Sequence, residues 1–273
     1  MKRRTVIVCA IISLLVIVGV VCVLVKDSEP SYNGKTLTQW LVDIQKLGIN
    51  DRAKYNECRD AIYTIGTNAI PSLIRMVDRT DSPLKVKAVQ FLGPKWSDKL
   101  KIRKADYYRS KATFGFSALR EKSAPSVPAL IVLLHSRKRD VQAAAAECLS
   151  DIGPEAGSAT ADLVDLLHHS NANEPLVILS AMDGLRGPGR DAKLAVPELL
   201  IWINGERKSW NYISRALDAL RAYGTNAAAA SPAIVPYLDD PEPSIKASAF
   251  SALYRIDRVA AEKWQREQWA KQK

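Results

Sequence analysis

Aromatic residues are few in this chain: Phe, Trp and Tyr make up 7% of its 273 positions, although 47% of all residues are hydrophobic. Ala and Leu are plentiful instead, and these two residues lose little freedom in a helix while doing little for a pleated surface. The shortage of aromatic side chains therefore argues against a core built on sheets. The composition predicts an all-α protein.

Histidine is also scarce, with only His135, His168 and His169 in the sequence. None of them has the spacing of a metal motif, and the nucleophile-elbow, Walker-type and dinucleotide-binding motifs are missing too. We interpret the three histidines as basic residues at the solvent ends of helices, where the helix dipole favours them. The sequence therefore predicts no catalytic, metal-binding or cofactor-binding residues, and we expect neither enzyme activity nor a cofactor.

Charge is absent from Thr5 to Val25, a run of 21 residues. At about 1.5 Å per helical residue, this run spans the roughly 30 Å hydrocarbon layer of a bilayer. It lacks the small residues of a signal-peptidase site, and the bulky Val21 precedes Cys22 where lipoprotein signals usually have a small residue. We predict an uncleaved transmembrane anchor at residues 1–26; a removed signal or a lipoprotein is the alternative.

The cations around this anchor predict its orientation. Lys2, Arg3 and Arg4 precede it, so the N-terminus should be cytoplasmic and the rest of the chain extracytoplasmic. The net charge of +10 is largely local, because residues 1–26 and 93–117 hold most of the excess cations. A uniformly basic surface is not indicated, and nucleic acid is disfavoured as a partner.

A sequence frame repeats along the chain. A Gly is followed eight residues later by Pro or Ala and an apolar run, and a second stretch has apolar residues three and four apart, as amphipathic helices do. Three of the steps between copies are 33, 36 and 35 residues long. The aligned positions are Pro128, Ala161, Pro197 and Pro232.

The first full step is longer than the others, because Pro71 precedes Pro128 by 57 residues. We assign the helix-like stretch at 86–92 to the second half of this unit. The remaining excess matches the basic segment 93–117, which we therefore interpret as an insertion. Gly66, Gly153 and Gly224 follow the last apolar residue of a predicted helix, where a positive φ is easiest without a Cβ.

Two other motifs have structural interpretations. The stretch "RGPGR" (186–190) is similar to a phosphate loop but lies at a turn between repeat units. Cys58 and Cys148 belong to non-adjacent units, and stacked helices stand roughly 8 to 10 Å apart, farther than the about 7 Å between Cα atoms that a disulfide allows. We expect an ordinary turn and two buried free thiols.

The repeating frame resembles the HEAT repeat, a family of helical-hairpin solenoids, over roughly residues 36–257. Members typically have a Pro in the first helix and, near the second, an Asp six residues before a Lys or Arg. Asp81 with Lys87 and Asp240 with Lys246 match that pair. The resemblance implies an all-α, right-handed α-α superhelix of about six helical hairpins.

The regions on either side complete the predicted organisation. Residues 27–35 should be a short linker between the single transmembrane helix and the solenoid. Residues 258–273 should form a capping helix with Trp264 and Trp269, because the end unit of a repeat array needs a cover.

The basic segment 93–117 mixes cations with aromatic residues, a combination that can bind anionic polymers or lipid headgroups. Other interpretations remain open: an irregular hairpin with aromatic side chains in the core and solvated lysines, or a contact with a protein. The candidate binding residues are Trp96, Lys99, Lys101, Arg103, Lys104, Tyr107, Tyr108 and Arg109.

These observations predict a membrane-anchored, non-enzymatic scaffold of the cell envelope, whose solenoid surface binds a protein or peptide and whose residues 5–25 contact the membrane. Because HEAT-like solenoids include bilin lyases, a lyase-like enzyme is one alternative. A module that binds anionic surfaces through 93–117 is the other.

Overall fold

A computed structural model describes residues 29–47, 51–100, 102–171, 173–187, 189–205 and 209–271. The predicted transmembrane segment, Thr5–Val25, lies outside these residues. Within the described ranges, no helix is long and apolar enough to cross a membrane.

The described residues are almost entirely helical, which confirms the predicted all-α class. The two short strands are β1 (Ser31–Tyr32) and β2 (Lys35–Thr36). The helices are α1 (Leu37–Lys46), α2 (Arg52–Ile65), α3 (Ile70–Val77), α4 (Pro83–Lys99), α5 (Ala105–Leu119), α6 (Val127–Leu134), α7 (Arg139–Ile152), α8 (Thr160–His168), α9 (Pro175–Leu185), α10 (Ala192–Asn204), α11 (Trp210–Tyr223), α12 (Ser231–Ile234), α13 (Pro243–Ile256) and α14 (Arg258–Lys271).

The helices pack as antiparallel pairs that follow one another in chain order. We call α1, α3, α6, α8, α10 and α12 the first helices and α2, α5, α7, α9, α11 and α13 the second helices of these pairs. Each second helix from α5 to α11 contacts the next one along the chain, and α14 packs against α13. The core lies between the two sets and is lined by fully buried residues such as Leu149, Leu163 and Leu217.

Three glycines end second helices as the sequence predicts. Gly66, Gly153 and Gly224 have φ values of 64°, 96° and 54°, and each is followed by a short 3-10 turn that leads into the next first helix. Arg120 occupies the same position after α5 with φ 52° and ψ −130°. This conformation is uncommon for a residue with a Cβ.

The second unit differs from the prediction. Its second helix is α5 (Ala105–Leu119), which packs against α3 and α7, whereas residues 86–92 lie in α4 and make only sparse contacts with the other helices. Close packing explains this placement, because a Cβ on Gly115 of α5 would lie 2.4 Å from the Leu73 side chain of α3. The departure from the repeat therefore precedes Ala105, and the second half of the predicted insertion 93–117 is a core helix.

Both ends of the solvent-exposed array also show local structure. In the predicted linker, Asn33 and Gly34 have φ values of 48° and 74° and form the turn between β1 and β2. At the other end, Trp264 of α14 is partly buried and its ring centroid lies 5.7 Å from that of Phe250. Trp269 remains 70% exposed, so only the first of the two predicted tryptophans covers the core.

Candidate functional site

The predicted binding residues separate into an exposed group and a buried group. Trp96 and Lys99 lie on α4, with 57% of Trp96 exposed and the Lys99 Nζ 5.1 Å from its ring centroid. Lys104 is exposed directly before α5, and Lys101 lies outside the described residues. This exposed group leaves a cation and an aromatic ring available to a ligand.

The tyrosines of the predicted site face the helical array rather than open solvent. Tyr107 and Tyr108 are half-buried and pack edge to face, with ring centroids 5.4 Å apart. Arg103 lies 5.3 Å from the Tyr107 ring, and Arg79 lies 3.9 Å from the Tyr108 ring. These cation–π contacts hold the start of α5 against the chain that precedes α4.

Arg109 is buried and links three parts of the fold. Its Nη1 donates to the Arg79 carbonyl at 2.7 Å, and its Nη2 donates to Asp140 Oδ2 at 2.6 Å. A guanidinium with these two partners joins α5 to α7 and to the chain after α3. We therefore assign Arg109 a structural role, which the sequence did not reveal.

Asp81 closes the base of the excursion that contains α4. Its carboxylate accepts hydrogen bonds from Lys85 Nζ at 2.6 Å and from the Ala105 backbone N–H at 2.8 Å. Burial opposes ionisation of this carboxyl group, but the two hydrogen bonds outweigh it and lower the pKa of Asp81. Lys85 Nζ also donates to the Arg103 carbonyl, so the two ends of the excursion are held together.

A groove runs across α5, α7 and α9 on the second-helix surface. The cavity measures about 210 Å³, and the small residues Ala143 and Ala144 of α7 leave room for it. Leu176 is 60% exposed beside it. The lining residues are Asp106, Arg109, Ser110, Thr113, Asp140, Ala143, Ala144, Glu147, Leu176 and Ser180. We call this cavity the second-helix groove.

Carboxylates make one side of this groove acidic. The Glu147 side chain is exposed, but the surrounding protein displaces part of its water shell, which raises the pKa of Glu147, and the charges of Asp151 and Asp183 add to the effect. The same loss of water raises the pKa of Asp183 despite its contact with Arg215. A cationic group from a ligand would relieve this repulsion.

Arginine–carboxylate pairs connect successive second helices. They join α5 to α7, α7 to the residue before α9, and α9 to α11. The three pairs are Arg109–Asp140 at 2.6 Å, Arg139–Glu174 at 2.6 Å and Arg215–Asp183 at 3.0 Å. We call this series the arginine ladder.

The pairs that the resemblance suggested do not contribute to this ladder. Asp81 binds Lys85 instead of Lys87, whose side chain is exposed. Asp240 Oδ1 accepts a hydrogen bond from the Glu242 backbone N–H and so shapes the turn before α13.

The "RGPGR" stretch forms the turn between α9 and α10, as predicted. Arg190 is buried, and its guanidinium donates to the carbonyl oxygens of Gly184 at 2.9 Å and Leu149 at 2.6 Å. Burial lowers the pKa of Arg190 to about 10. Its fork therefore caps the ends of α7 and α9, where the helix dipoles favour a cation.

The three histidines lie at the ends of first helices and pair with carboxylates. His135 Nε2 is 2.8 Å from Asp162, and His168 Nδ1 is 3.0 Å from the buried Glu198. His169 Nδ1 is 3.2 Å from Asp165 within its own turn. These are the positions that the sequence predicted.

The cysteines of the described residues, Cys58 and Cys148, are buried free thiols, as expected. Burial raises the pKa of the Cys148 thiol well above its usual value. Across the part of the chain that the structure describes, no group of three or more His, Cys, Asp and Glu side chains could hold a metal ion.

Comparison of the chain with known protein families and with curated proteins finds no match in either set.

Proposed function

We propose that this chain is a membrane-anchored, non-enzymatic HEAT-like scaffold that binds a protein or peptide partner in the second-helix groove. In this proposal the helical pairs form a right-handed α-α superhelix. Residues 5–25 hold it at the extracytoplasmic face of the cell envelope.

The observation that carries the proposal is the groove across α5, α7 and α9. It combines an exposed apolar side chain, Leu176, with the exposed carboxylate of Glu147, whose pKa is raised. Repeat arrays typically bind their partners along such extended surfaces. An extended peptide segment with an apolar residue next to a Lys or Arg would satisfy both groups.

Site-specific photo-crosslinking in native membranes tests this proposal. A photoreactive amino acid at position 147 or 176 of the full-length chain should capture a protein, because both side chains are exposed beside the groove. The matched control positions are Val132 and Ile201, which are 69% and 56% exposed on first helices. These controls should give no adduct.

A blocking substitution makes the test stricter. Thr113→Arg, on the α5 side of the groove, should abolish the adduct formed from position 147, because the longer side chain occupies the space of the partner. Equal adducts from groove and control positions, or an adduct that survives Thr113→Arg, would reject the groove as the binding site.

A further inference from the structure

Helix α4 exposes large apolar side chains that no other element covers. Leu84 is 80% exposed, Phe91 93%, Trp96 57% and Leu100 56%. The helix makes only sparse contacts with the rest of the described chain. A group of exposed apolar residues this close together in a chain usually marks a surface that a partner or a membrane covers.

The backbone of α4 arranges these side chains in two groups. Gly93 has φ 70° and ψ 173° and divides the helix into two parts. Leu84 and Phe91 are seven residues apart in the first part, so they lie on the same side of the helix. Trp96 and Leu100 are four residues apart and share a side after the kink. Each part thus presents two large apolar groups.

The charge around these groups is strongly positive. Residues 83–104 contain seven Lys and Arg residues and a single acid, Asp98. Lys85 is committed to Asp81, whereas Lys87, Lys95 and Lys104 are exposed. A second copy of this chain would bring like charges together, so the charge disfavours self-association through α4.

We infer that α4 docks on an anionic lipid bilayer. The exposed lysines would contact acidic headgroups, at about 1 kcal/mol for each cation near the surface. The apolar groups, with Trp96 at the interface, would enter the boundary between headgroups and acyl chains, as in helices that lie on membranes.

The chain before β1 favours this occupant over others. The predicted anchor ends at Val25, and β1 begins at Ser31, a separation that even an extended chain cannot stretch much beyond roughly 20 Å. A domain tethered so closely meets lipid headgroups at high effective concentration. This step rests on the anchor of the proposed function, but it does not depend on the second-helix groove.

The test is quenching of Trp96 by bilayers with brominated acyl chains. The full-length chain is reconstituted into bilayers of phosphatidylcholine alone or with 30% phosphatidylglycerol, and the signal of Trp96 is obtained by subtracting the matching Trp96→Phe variant. We expect at least a twofold greater quenched fraction for Trp96 in the anionic bilayers, because the lysines bring the ring to the acyl chains.

Two triple variants with the same loss of charge show whether α4 is responsible. Lys87→Gln, Lys95→Gln and Lys104→Gln together should reduce quenching to the level of neutral bilayers, and this set spares Lys99, which contacts the Trp96 ring. The control replaces the exposed Lys193, Lys246 and Lys263 by Gln and should leave quenching unchanged.

Three results would overturn the inference. They are absence of Trp96 quenching in both bilayers, an equal loss in both triple variants, and burial of Trp96 that depends on protein concentration without lipid, which would indicate a second copy. A protein occupant would instead shield Trp96 from aqueous quenchers in native membranes without any quenching by lipid. Crosslinking from positions 147 and 176 is a separate readout, so this inference and the proposed function fail independently.

Discussion

At the scale of single residues, two fully or nearly buried cations stabilise the ends of helices without a carboxylate at their hydrogen-bonding atoms. Arg190 donates to carbonyl oxygens of α7 and α9, and Lys111 donates to the Leu41 carbonyl at 3.1 Å and to Gln45 Oε1 at 3.0 Å. Neither partner of Lys111 is charged. Its ammonium group is therefore a source of pH-dependent stability.

The prediction for Lys111 concerns alkaline pH. Burial, with the nearby cations Lys46 and Arg103, lowers the pKa of Lys111 from 10.5 to about 8. Between these two values the unfolded chain keeps a proton that the folded chain has lost, so the free energy of unfolding should rise with pH. The total gain is on the order of 3 kcal/mol. Urea unfolding at pH 7, 9 and 10.5 measures it.

Lys111→Met provides the reference for this measurement, because the variant removes the titrating group while keeping a similar volume. The difference between wild type and variant should shift in favour of the wild type as pH rises from 8 to 10.5. A difference that stays constant over this range would contradict the lowered pKa.

At the scale of secondary-structure elements, the ends of the second helices share one backbone geometry. Gly66, Gly153 and Gly224 adopt positive φ at no steric cost, whereas Arg120 adopts nearly the same φ and ψ with a Cβ. A residue in such a conformation costs about 1 to 3 kcal/mol. The end of α5 is therefore strained relative to its equivalents.

Arg120→Gly should stabilise the protein by about 1 kcal/mol, since relief of strain exceeds the entropy that a Gly adds to the unfolded chain. The Arg120 side chain is exposed, so little packing is lost. Gly224→Ala is the matched control and should destabilise by about 1 to 3 kcal/mol, because a Cβ there meets nothing closer than the Arg255 carbonyl at 3.7 Å and only the backbone is strained. Chemical denaturation measures both; a less stable Arg120→Gly protein would refute the strain.

The excursion containing α4 should be removable. Replacing residues 82–103 by three Gly or Ser residues should lower the melting temperature by no more than about 4 °C, because the main loss is the partly buried pair of Lys85 with Asp81. The Ala105 N–H already lies 2.8 Å from Asp81, so a short linker can close the gap. Thermal unfolding by circular dichroism measures the change.

Removal of residues 93–117 with the same linker is the contrasting variant. It deletes most of α5, including the buried Phe116 and Lys111, and should abolish cooperative unfolding. If both deletions had the same effect, the assignment of α5 as the second helix of its unit would be incorrect.

The sequence predicted the periodic elements better than the exceptions to them. Apolar spacing and glycine ends located most helix pairs, but residues 86–92 have that same spacing and yet lie on the sparsely packed α4. In α5 the buried Arg109 and Lys111 look like solvated charges, and small residues such as Gly115 face the core. Periodicity measures how apolar one side of a helix is, and so it misses helices whose buried side contains paired cations.

At the scale of the whole molecule, the candidate site depends on contacts between distant parts of the sequence. The two residues of the Arg109–Asp140 pair are 31 positions apart, and those of the Arg215–Asp183 pair are 32 apart. Such partners become neighbours only when consecutive second helices pack, so spacing within one unit could not identify them. The exposed half of the predicted site, Trp96 with Lys99, needed no such contact and was found from composition.

The location of the chain gives the prediction at this scale. Alkaline phosphatase fused after Lys273 of the full-length chain should be active, because the cations before residue 5 orient the anchor with its C-terminal side outside the cytoplasm. Replacing Lys2, Arg3 and Arg4 by Glu while adding Lys residues at 27–29 should reduce this activity. A fluorescent reporter that folds only in the cytoplasm should give the opposite result; its fluorescence in the unmodified chain would contradict the predicted topology.

The packing of helical pairs in chain order also has a mechanical consequence. Because each pair contacts mainly its immediate neighbours, a small rotation at each boundary adds to a large change in end-to-end length without breaking any one interface. A pull between a fixed end and a bound partner would then be shared along the array as in a spring. The protein would yield elastically before any single helical pair came apart.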